Sequence, residues 1–375
     1  MIIVFTSLNH GGILQFAYSL VESLQKMNEK TMLFIPDDSM KIESVIDDTS
    51  IIKYRKDKRL VYSKKLKKQM VALVDKLCVD TIIAVDDGII SQVFLSSLNK
   101  KYSLAITIHD TTAHPQNFNL KSRMVESLKN KLRYLVFRNV DVIVLLSKYS
   151  QSIFAQNYPM YAKKTYLLPL GSHMPNVSER IPNELINKEY SEKNSFALFF
   201  GRVDKYKGID RLIEIYSFAE KQGINLPDLI IAGKWIGQSY KEYVHNEKIV
   251  IIDRYIDDNE MNWLFANAMY VLLPLIEASQ SGILPIAYQC GLPVITSNVP
   301  GLTQYIEQGE TGIICNDIHD FINAITYLSE NQEVREKMGK KAREYYFTHL
   351  EWINNLKGLL VALNNKKRNG KYQDE

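Results

Sequence analysis

The sequence predicts an α/β protein built from two doubly wound parallel sheets, one in each half of the chain. Short apolar runs rich in β-branched residues alternate with longer amphipathic stretches throughout the 375 residues. Runs this short and this continuously apolar are typical of parallel strands buried on both faces. The chain is also longer than one ordinary domain, and a polar stretch near its middle separates two series of strands.

The first half contains seven predicted strands and a Gly- and Pro-containing exit. Strands are predicted at 2–6, 31–35, 51–54, 81–85, 104–108 and 142–146, with a last strand inside 165–176. Helices are predicted at 14–27, 64–77 and 120–138. Polar residues follow the exit, so we place the first domain at 1–176 and a linker at 177–194.

The second half repeats this scheme over a predicted domain at 195–349. Strands are predicted at 196–200, 228–233, 249–253, 270–275, 293–296 and 312–316, and helices at 209–222, 259–268 and 283–289. More than one further helix is predicted through 338–363. Helices that separate parallel strands complete the βα pattern of an open α/β sheet.

Composition and termini favour a cytoplasmic protein. Hydrophobic residues make up 46% and charged residues 23% of the chain, which is typical of globular proteins. No stretch approaches about 20 uninterrupted apolar residues, and "MIIVFTS" has no basic segment before its apolar run, so it indicates a first strand and not a signal peptide. Cys78, Cys290 and Cys315 are isolated and odd in number, which fits a reducing compartment.

Charge is distributed unevenly along the chain. Residues 1–180 hold 25 basic and 16 acidic residues, whereas residues 181–375 hold 21 and 26. Much of the excess lies in the run from Lys53 to Lys68, which has few aromatic residues and no nucleic-acid motif, so no nucleic-acid partner is expected. The run is interpreted either as a solvated helix face or as a contact with an anionic membrane surface or a phosphate-bearing acceptor.

Open α/β sheets bind ligands beyond the carboxyl ends of their strands, so residues that follow strands are the candidates. Gly11 and Gly12 follow the first strand, where they allow a ligand to approach the backbone and the start of a helix. The pattern is not G-x-G-x-x-G, which argues against a nicotinamide site. A tight turn without ligand is the alternative.

His109 follows the strand at 104–108, with Asp110 beside it and His114 nearby. A histidine at a strand end can donate to or accept from a substrate hydroxyl, and an adjacent carboxylate can orient it. The alternative is a structural histidine.

"GRVDKYKG" follows the first strand of the second half. Gly201 ends the strand, and Arg202 and Lys207 lie five residues apart in the loop before the next helix. A guanidinium fork and an ammonium group suit an anion such as a diphosphate. A surface ion pair is the alternative.

"EASQSG" follows another strand and precedes an apolar helix. Gln280, Ser281 and Gly282 provide a hydroxyl, an amide and a glycine at a helix start, which together favour an anion cradle. Glu277 would repel a phosphate, so it is expected to accept hydrogen bonds from sugar hydroxyls. A helix cap with a solvent-facing glutamate is the alternative.

These stretches resemble the retaining, nucleotide-sugar-dependent glycosyltransferases of family four, which have the GT-B fold. "FFGRVDKYKGIDRLIEIY" and "PLIEASQSGILPIAYQCGLPVITSNVPGL" carry the specific part of the resemblance. The resemblance implies two Rossmann-like domains facing across a cleft. "EWINNLKGLLVAL" is similar to the family's C-terminal helix, here at about 350–366, which returns to the first domain.

The resemblance also implies roles in the second half. Arg202 and Lys207 match the pair that holds the donor diphosphate, and 280–282 match the loop that receives the distal phosphate and the sugar. Glu277 matches the glutamate that contacts the donor sugar.

Further roles follow from the same resemblance. Gly11 and Gly12 match the glycine-rich loop near the diphosphate, and His109 matches the histidine at the donor sugar or the acceptor oxygen. Tyr255 and Ile256 fall where backbone groups hold the nucleobase.

One departure from the family pattern concerns the ribose. The family's second glutamate falls at Pro285 when counted from Glu277, and at Ile286 when aligned back from "CGLPV". Neither residue is acidic, which puts ribose recognition in doubt and leaves an inactive relative as an alternative.

The sequence is therefore interpreted as a retaining glycosyltransferase that moves a sugar from a UDP- or GDP-sugar to a hydroxyl of a glycan or lipid-linked acceptor, in bacterial surface polysaccharide synthesis. No cofactor or metal is expected, because cationic side chains and backbone dipoles would stabilise the leaving diphosphate. The protein is expected in the cytoplasm, with peripheral contact on the inner face of the membrane. The alternative is a catalytically silent GT-B subunit that binds glycan or a partner glycosyltransferase.

Overall fold

A computed structural model describes residues 1–40, 42, 46–55, 64–98, 101–109, 120–174, 177–186, 190, 195–236 and 246–371. The chain divides into two compact units. Unit 1 comprises Met1–Pro169 and Trp352–Glu375, and unit 2 comprises Leu170–Glu351.

Unit 1 is built on a seven-stranded sheet with the order β3-β2-β1-β4-β5-β6-β7. All of its strand pairs are parallel, which confirms the predicted sheet. The order reverses between β1 and β4, the switch point at which ligands bind in open α/β sheets. The strands are β1 (Ile2–Phe5), β2 (Thr31–Pro36), β3 (Ile51–Tyr54), β4 (Thr81–Ala84), β5 (Ser103–Ile108), β6 (Val142–Leu145) and β7 (Thr165–Leu167).

Unit 2 is built on a six-stranded sheet with the order β10-β9-β8-β11-β12-β13. These pairs are parallel as well, and the switch point lies between β8 and β11. The strands are β8 (Phe196–Phe200), β9 (Asp228–Ala232), β10 (Ile249–Ile252), β11 (Ala268–Leu273), β12 (Val294–Ser297) and β13 (Gly312–Cys315).

Helices connect successive strands in both units. Those of unit 1 are α1 (Gly12–Lys26), α2 (Lys64–Lys76), α3 (Ile89–Ser96), α4 (Leu120–Asn139) and α5 (Lys148–Asn157). Those of unit 2 are α6 (Ile209–Lys221), α7 (Asp258–Asn267), α8 (Ile283–Gln289), α9 (Pro300–Thr303), α10 (Ile318–Glu330) and α11 (Gln332–Tyr345). The chain then forms α12 (Trp352–Lys371), which belongs to unit 1.

The stretch at 338–363, where closing helices are predicted, is divided in the structure. It comprises the end of α11, a π-helical turn at Tyr346–Leu350 and most of α12. Glu351 has an extended backbone between the turn and α12 (φ −62°, ψ 131°). The C-terminal helix expected at about 350–366 corresponds to α12, which begins at Trp352.

Aromatic and backbone contacts attach α12 to the rest of unit 1. The ring of Trp352 lies 5.2 Å from that of Phe16 on α1. The hydroxyl of Tyr166 donates to the carbonyl of Asn355 over 2.8 Å. The last helix therefore contributes to the packing of the first sheet although the chain has passed through unit 2.

The sheet of unit 2 is buried on both faces because successive residues of its strands enter different apolar clusters. Phe196 and Leu198 of β8 pack in one cluster, and Ala197 and Phe199 pack in the other. This arrangement explains why its strands show continuous apolar runs.

A buried carboxylate fastens the switch point of unit 1. Asp86, 2% exposed, lies just after β4 and accepts hydrogen bonds from the hydroxyls of Thr6, Ser7 and Ser91 at 2.7 to 3.0 Å. It also accepts from the backbone N–H groups of Ser7 and Gly88. These five hydrogen bonds satisfy the buried carboxylate, so Asp86 joins the end of β1 to the start of α3.

Two of the cysteines have perturbed thiol groups. Burial raises the pKa of the Cys290 and Cys315 thiols to about 12, so both remain protonated at neutral pH. Within the described ranges, no helix has both the length and the apolar character needed to cross a bilayer. Residues 56–63 of the basic run at 53–68 lie outside the described residues.

Candidate active site

The two loops singled out in the second half follow neighbouring strands. "GRVDKYKG" follows β8 and "EASQSG" follows β11, and these strands pair at the switch point of the second sheet. Open α/β sheets place ligands at this position, outside the carboxyl ends of the strands. The structure therefore brings together the predicted site residues of these two loops.

Backbone contacts join the loops directly. The N–H of Ile276 donates to the carbonyl of Tyr206 over 2.9 Å. Gly208 has a left-handed backbone (φ 78°), and a Cβ atom at this position would lie 1.9 Å from the carbonyl oxygen of Pro274. Only a glycine permits this approach without displacing one of the loops.

A second close approach supports the "EASQSG" loop from the other side. A Cβ atom on Gly301, at the start of α9, would lie 2.1 Å from the carbonyl oxygen of Ala278. On the opposite flank, the N–H of Gly201 donates to the carbonyl of Ala232 over 3.0 Å and so ties the first loop to β9. The loops are thus held by backbone packing and not only by their side chains.

The two predicted cations both lie near one aromatic ring. The guanidinium of Arg202 lies 5.8 Å and the ammonium of Lys207 5.3 Å from the centre of the Tyr206 ring. Arg202 also donates to the Tyr206 hydroxyl over 3.1 Å. Cations near a ring face are attracted by its quadrupole, so Tyr206 gathers both positive charges at one place.

Arg202 forms a weak ion pair with an acidic neighbour. Its side chain is 57% exposed and lies 3.8 Å from the carboxylate of Asp204. Exposed ion pairs contribute about 0–1 kcal/mol. An anion with two charges, such as a diphosphate, can therefore displace this contact.

The "EASQSG" loop presents a buried hydroxyl and exposed backbone. Ser281 is buried, and its hydroxyl accepts from the N–H of Ile283 over 3.3 Å. Gly282 and Glu277 are exposed, and Gln280 is half-buried. Because Ser281 engages one N–H at the start of the seven-residue α8, the predicted anion cradle depends more on the neighbouring cations than on this helix start.

The two positions that could hold a ribose-binding glutamate are apolar and buried. Pro285 and Ile286 both lie on α8 among its buried residues, and Ile286 belongs to one apolar cluster of unit 2. A glutamate at either site would have to bury its carboxylate in the present packing.

The predicted nucleobase residues lie after β10, two strands away from β8. Tyr255 is 53% exposed, whereas Ile256 is buried in the core. The preceding Arg254 donates to the carboxylates of Glu184 and Glu260, and the hydrogen bond from Arg254 lowers the pKa of Glu184. This network fixes the backbone on which the two residues sit.

In unit 1, Gly11, Gly12 and His109 lie around α1. Gly11 is exposed with φ 80° and precedes α1, which begins at Gly12. His109 directly follows β5, its Nε2 lies 2.7 Å from the carbonyl of Val85, and its ring packs edge-on against Phe16. Since a carbonyl only accepts, Nε2 carries the proton, and in the neutral ring Nδ1 is the acceptor. Asp110 and His114 lie outside the described residues.

Sequence reasoning missed Tyr206 and the supporting glycines. The glycine of "KYKG" predicts a turn, but the contact between Gly208 and Pro274 depends on the pairing of β8 with β11, which are far apart in the sequence.

Among the side chains that the structure describes, no group of three or more His, Cys, Asp or Glu is placed to hold a metal ion.

Comparison with known proteins shows that most of the second half is similar to a known family. Residues 182–345 match the family model described as glycosyl transferases group 1. The chain is 24% identical over 245 residues to spore coat protein SA of Bacillus subtilis (strain 168) and 26% identical over 245 residues to the capsular polysaccharide biosynthesis glycosyltransferase CapM of Staphylococcus aureus. These matches cover 59% and 60% of this chain and 64% and 63% of the relatives, just under two thirds of their length.

Solved structures share the fold over nearly the whole chain. Sucrose-phosphate synthase from Thermosynechococcus elongatus superposes with a TM-score of 0.71 at 18% identity, covering 100% of this chain and 99% of that protein. Anabaena HepE in complex with UDP and glucose gives 0.72 at 15% identity, covering 96% and 99%. Residues 182–345 are therefore similar to the glycosyl transferases group 1 family, and the chain has the two-sheet α/β architecture of GT-B proteins.

The close approach at Gly208 gives a test by substitution. Gly208→Ala should destabilise the protein by at least about 3 kcal/mol, because it adds a clash with the Pro274 carbonyl to the strain of a left-handed alanine. Gly223→Ala is the matched control: Gly223 also has a positive φ (68°), but nothing lies within 4 Å of its added Cβ. It should cost only about 1–2 kcal/mol. Urea unfolding measures both, and equal losses would contradict the contact.

Proposed function

We propose that this protein is a retaining glycosyltransferase that moves a sugar from a UDP- or GDP-sugar to a hydroxyl of a glycan or lipid-linked acceptor. The observation that carries the proposal is the placement of Arg202 and Lys207 around Tyr206. This group lies at the switch point of the sheet whose residues match the glycosyl transferases group 1 model.

The chemistry requires stabilisation of a departing diphosphate. The bond between the anomeric carbon and the diphosphate oxygen breaks, and its electron pair leaves with the diphosphate. The acceptor oxygen bonds to the same carbon on the same face, and its proton passes to the leaving oxygen. Arg202 can hold the diphosphate as a fork and Lys207 as a point charge, so both stabilise charge that grows in the transition state.

The remaining site residues have supporting roles in this proposal. Glu277 accepts hydrogen bonds from hydroxyls of the donor sugar, and the exposed backbone at Gly282 receives a phosphate oxygen. Backbone groups at Tyr255 and Ile256 hold the nucleobase. Gly11 and Gly12 approach the diphosphate, and His109 acts at the donor sugar or the acceptor oxygen. The reaction then needs no metal or other cofactor, because these groups supply the positive potential.

The acceptor class is inferred from relatives. One relative is described as a capsular polysaccharide biosynthesis glycosyltransferase and another as a spore coat protein. These descriptions favour a bacterial surface polysaccharide for this chain too. A lipid-linked acceptor would place the enzyme in the cytoplasm with peripheral contact on the inner face of the membrane.

A catalytically silent subunit is the second candidate. The buried Pro285 and Ile286 favour it, since neither can bind ribose hydroxyls as a glutamate would. Such a subunit would bind glycan or a partner glycosyltransferase without transferring a sugar. Absence of thermal stabilisation by millimolar UDP or GDP, together with no turnover of any nucleotide sugar, would support this candidate over the enzyme.

Removal of either cation should weaken nucleotide binding. Arg202→Ala and Lys207→Ala should each reduce the affinity for UDP or GDP by about 10- to 100-fold, since a charge-assisted hydrogen bond is worth about 1.5–3 kcal/mol. Lys205→Ala is the control, because Lys205 is exposed in the same short 3₁₀ helix and has no assigned role. Isothermal titration calorimetry gives the affinities, and nucleotide-sugar turnover gives the activity. Full affinity and turnover in both variants would overturn the site assignment.

Tyr206 should act through the two cations. Tyr206→Phe loses the hydroxyl that accepts from Arg202 but retains the ring, so UDP affinity should fall about fivefold, as expected for one hydrogen bond of about 1 kcal/mol. Tyr206→Leu also loses the ring, and a further loss of about threefold is expected from the cation–π contact. In both variants the free energy of unfolding, measured with urea, should stay within about 0.5 kcal/mol of the parent value. Equal affinity in Phe and Leu variants would contradict a role for the ring.

A further inference from the structure

One surface of unit 1 combines large exposed apolar side chains with cations. Tyr134 and Leu135 of α4 are 51% and 59% exposed, and Met160 in the adjoining 3₁₀ helix (Pro159–Lys164) is 86% exposed. Lys131, Arg138 and Lys163 are exposed as well. We refer to these six residues as the α4 face.

The helical part of this face is a single stripe. Lys131, Tyr134, Leu135 and Arg138 follow the spacing i, i+3, i+4 and i+7, which places them on one side of a helix. The intervening Val136 and Phe137 are fully buried in the core of unit 1. The helix is thus amphipathic with an apolar inner side, and its outer side carries tyrosine and leucine between two cations.

The 3₁₀ helix is fixed beside this stripe. The Tyr134 ring packs edge-on against Tyr158 at 5.5 Å, and the hydroxyl of Tyr161 donates to the Tyr134 carbonyl over 3.5 Å. Lys164 donates to the carbonyls of Phe137 and Val140 at the end of α4. Met160 therefore projects from a supported turn next to Tyr134.

The charged residues around the face are mainly basic. Residues 130–164 contain six Lys or Arg and a single acidic residue, Asp141. Asp141 accepts a hydrogen bond from the N–H of Leu104 over 2.9 Å, and the buried Arg133 is paired with Asp87. The remaining cations face solvent or cap α4.

We propose that the α4 face binds the surface of an anionic phospholipid membrane. Side chains as exposed as Met160 project outward and do not line a groove, which suits insertion between lipid headgroups. Apolar and aromatic residues flanked by Lys and Arg are the features that hold helices in the interfacial plane of a bilayer. The residues of this face are separate in the sequence from the basic run at 53–68, and the proposal does not depend on the sugar-transfer activity.

Vesicle flotation with the full chain tests the proposal. The protein should float with vesicles of phosphatidylcholine and phosphatidylglycerol, and much less with phosphatidylcholine alone. Binding should weaken when salt is raised from about 0.1 M to about 0.5 M, because salt screens the attraction to the headgroups.

Variants separate the apolar and cationic contributions. Leu135→Ser with Met160→Ser should lower the vesicle partition coefficient at least tenfold. Lys131→Gln with Arg138→Gln should lower it roughly 25-fold on anionic vesicles, since each cation near such a surface contributes about fivefold. Ile186→Ser with Val361→Ser is the matched control, because both residues are 57% exposed elsewhere on the molecule, and it should bind like the parent.

Three results would overturn the proposal. The first is a parent protein that does not float with anionic vesicles, and the second is a parent whose binding the α4-face variants leave unchanged. The third is a protein that forms dimers in solution, fails to float, and becomes monomeric in Leu135→Ser with Met160→Ser, which would make this face a contact between two copies. Thermal stabilisation by UDP, measured in every variant, reports on unit 2 and keeps a failure here separate from a failure of the proposed function.

Discussion

The candidate site depends on the joining of two loops by their backbones. The N–H of Ile276 binds the carbonyl of Tyr206, and Gly208 approaches Pro274 more closely than any side chain would permit. These contacts fix the position of the first loop relative to the second. Because the switch point places β8 beside β11, residues about 70 positions apart in the sequence form one polar surface. The cations, the buried hydroxyl and the exposed glutamate all take their positions from this junction.

The fold was predictable because its strands are recognisable in the sequence. Continuous β-branched runs identified the strands of both sheets because residues buried on two faces leave no alternation. The apolar periodicity runs through Glu351, so the start of the last helix at about 350 came from the family resemblance and not from the pattern. The eight-residue α3 was missed because so short a stretch, in which Ser91 and Gln92 interrupt the apolar residues, gives too little periodicity to identify a helix.

The site was predictable in its charges but not in its geometry. Arg202 and Lys207 follow a strand and precede a helix, and that pattern indicates an anion site. Tyr206 lies between them in the sequence, yet its role depends on where its ring faces, which the sequence does not encode. Likewise, His109 was recognisable by its place after a strand, whereas the contact of its Nε2 with Val85 required the pairing of β4 with β5.

A crystal structure of the protein with UDP would show whether the joined loops of unit 2 form a diphosphate site. Diphosphate oxygens are expected within about 3 Å of the side-chain nitrogens of Arg202 and Lys207, as for charge-assisted hydrogen bonds. A diphosphate bound elsewhere, with both side chains making the contacts seen here, would contradict this expectation.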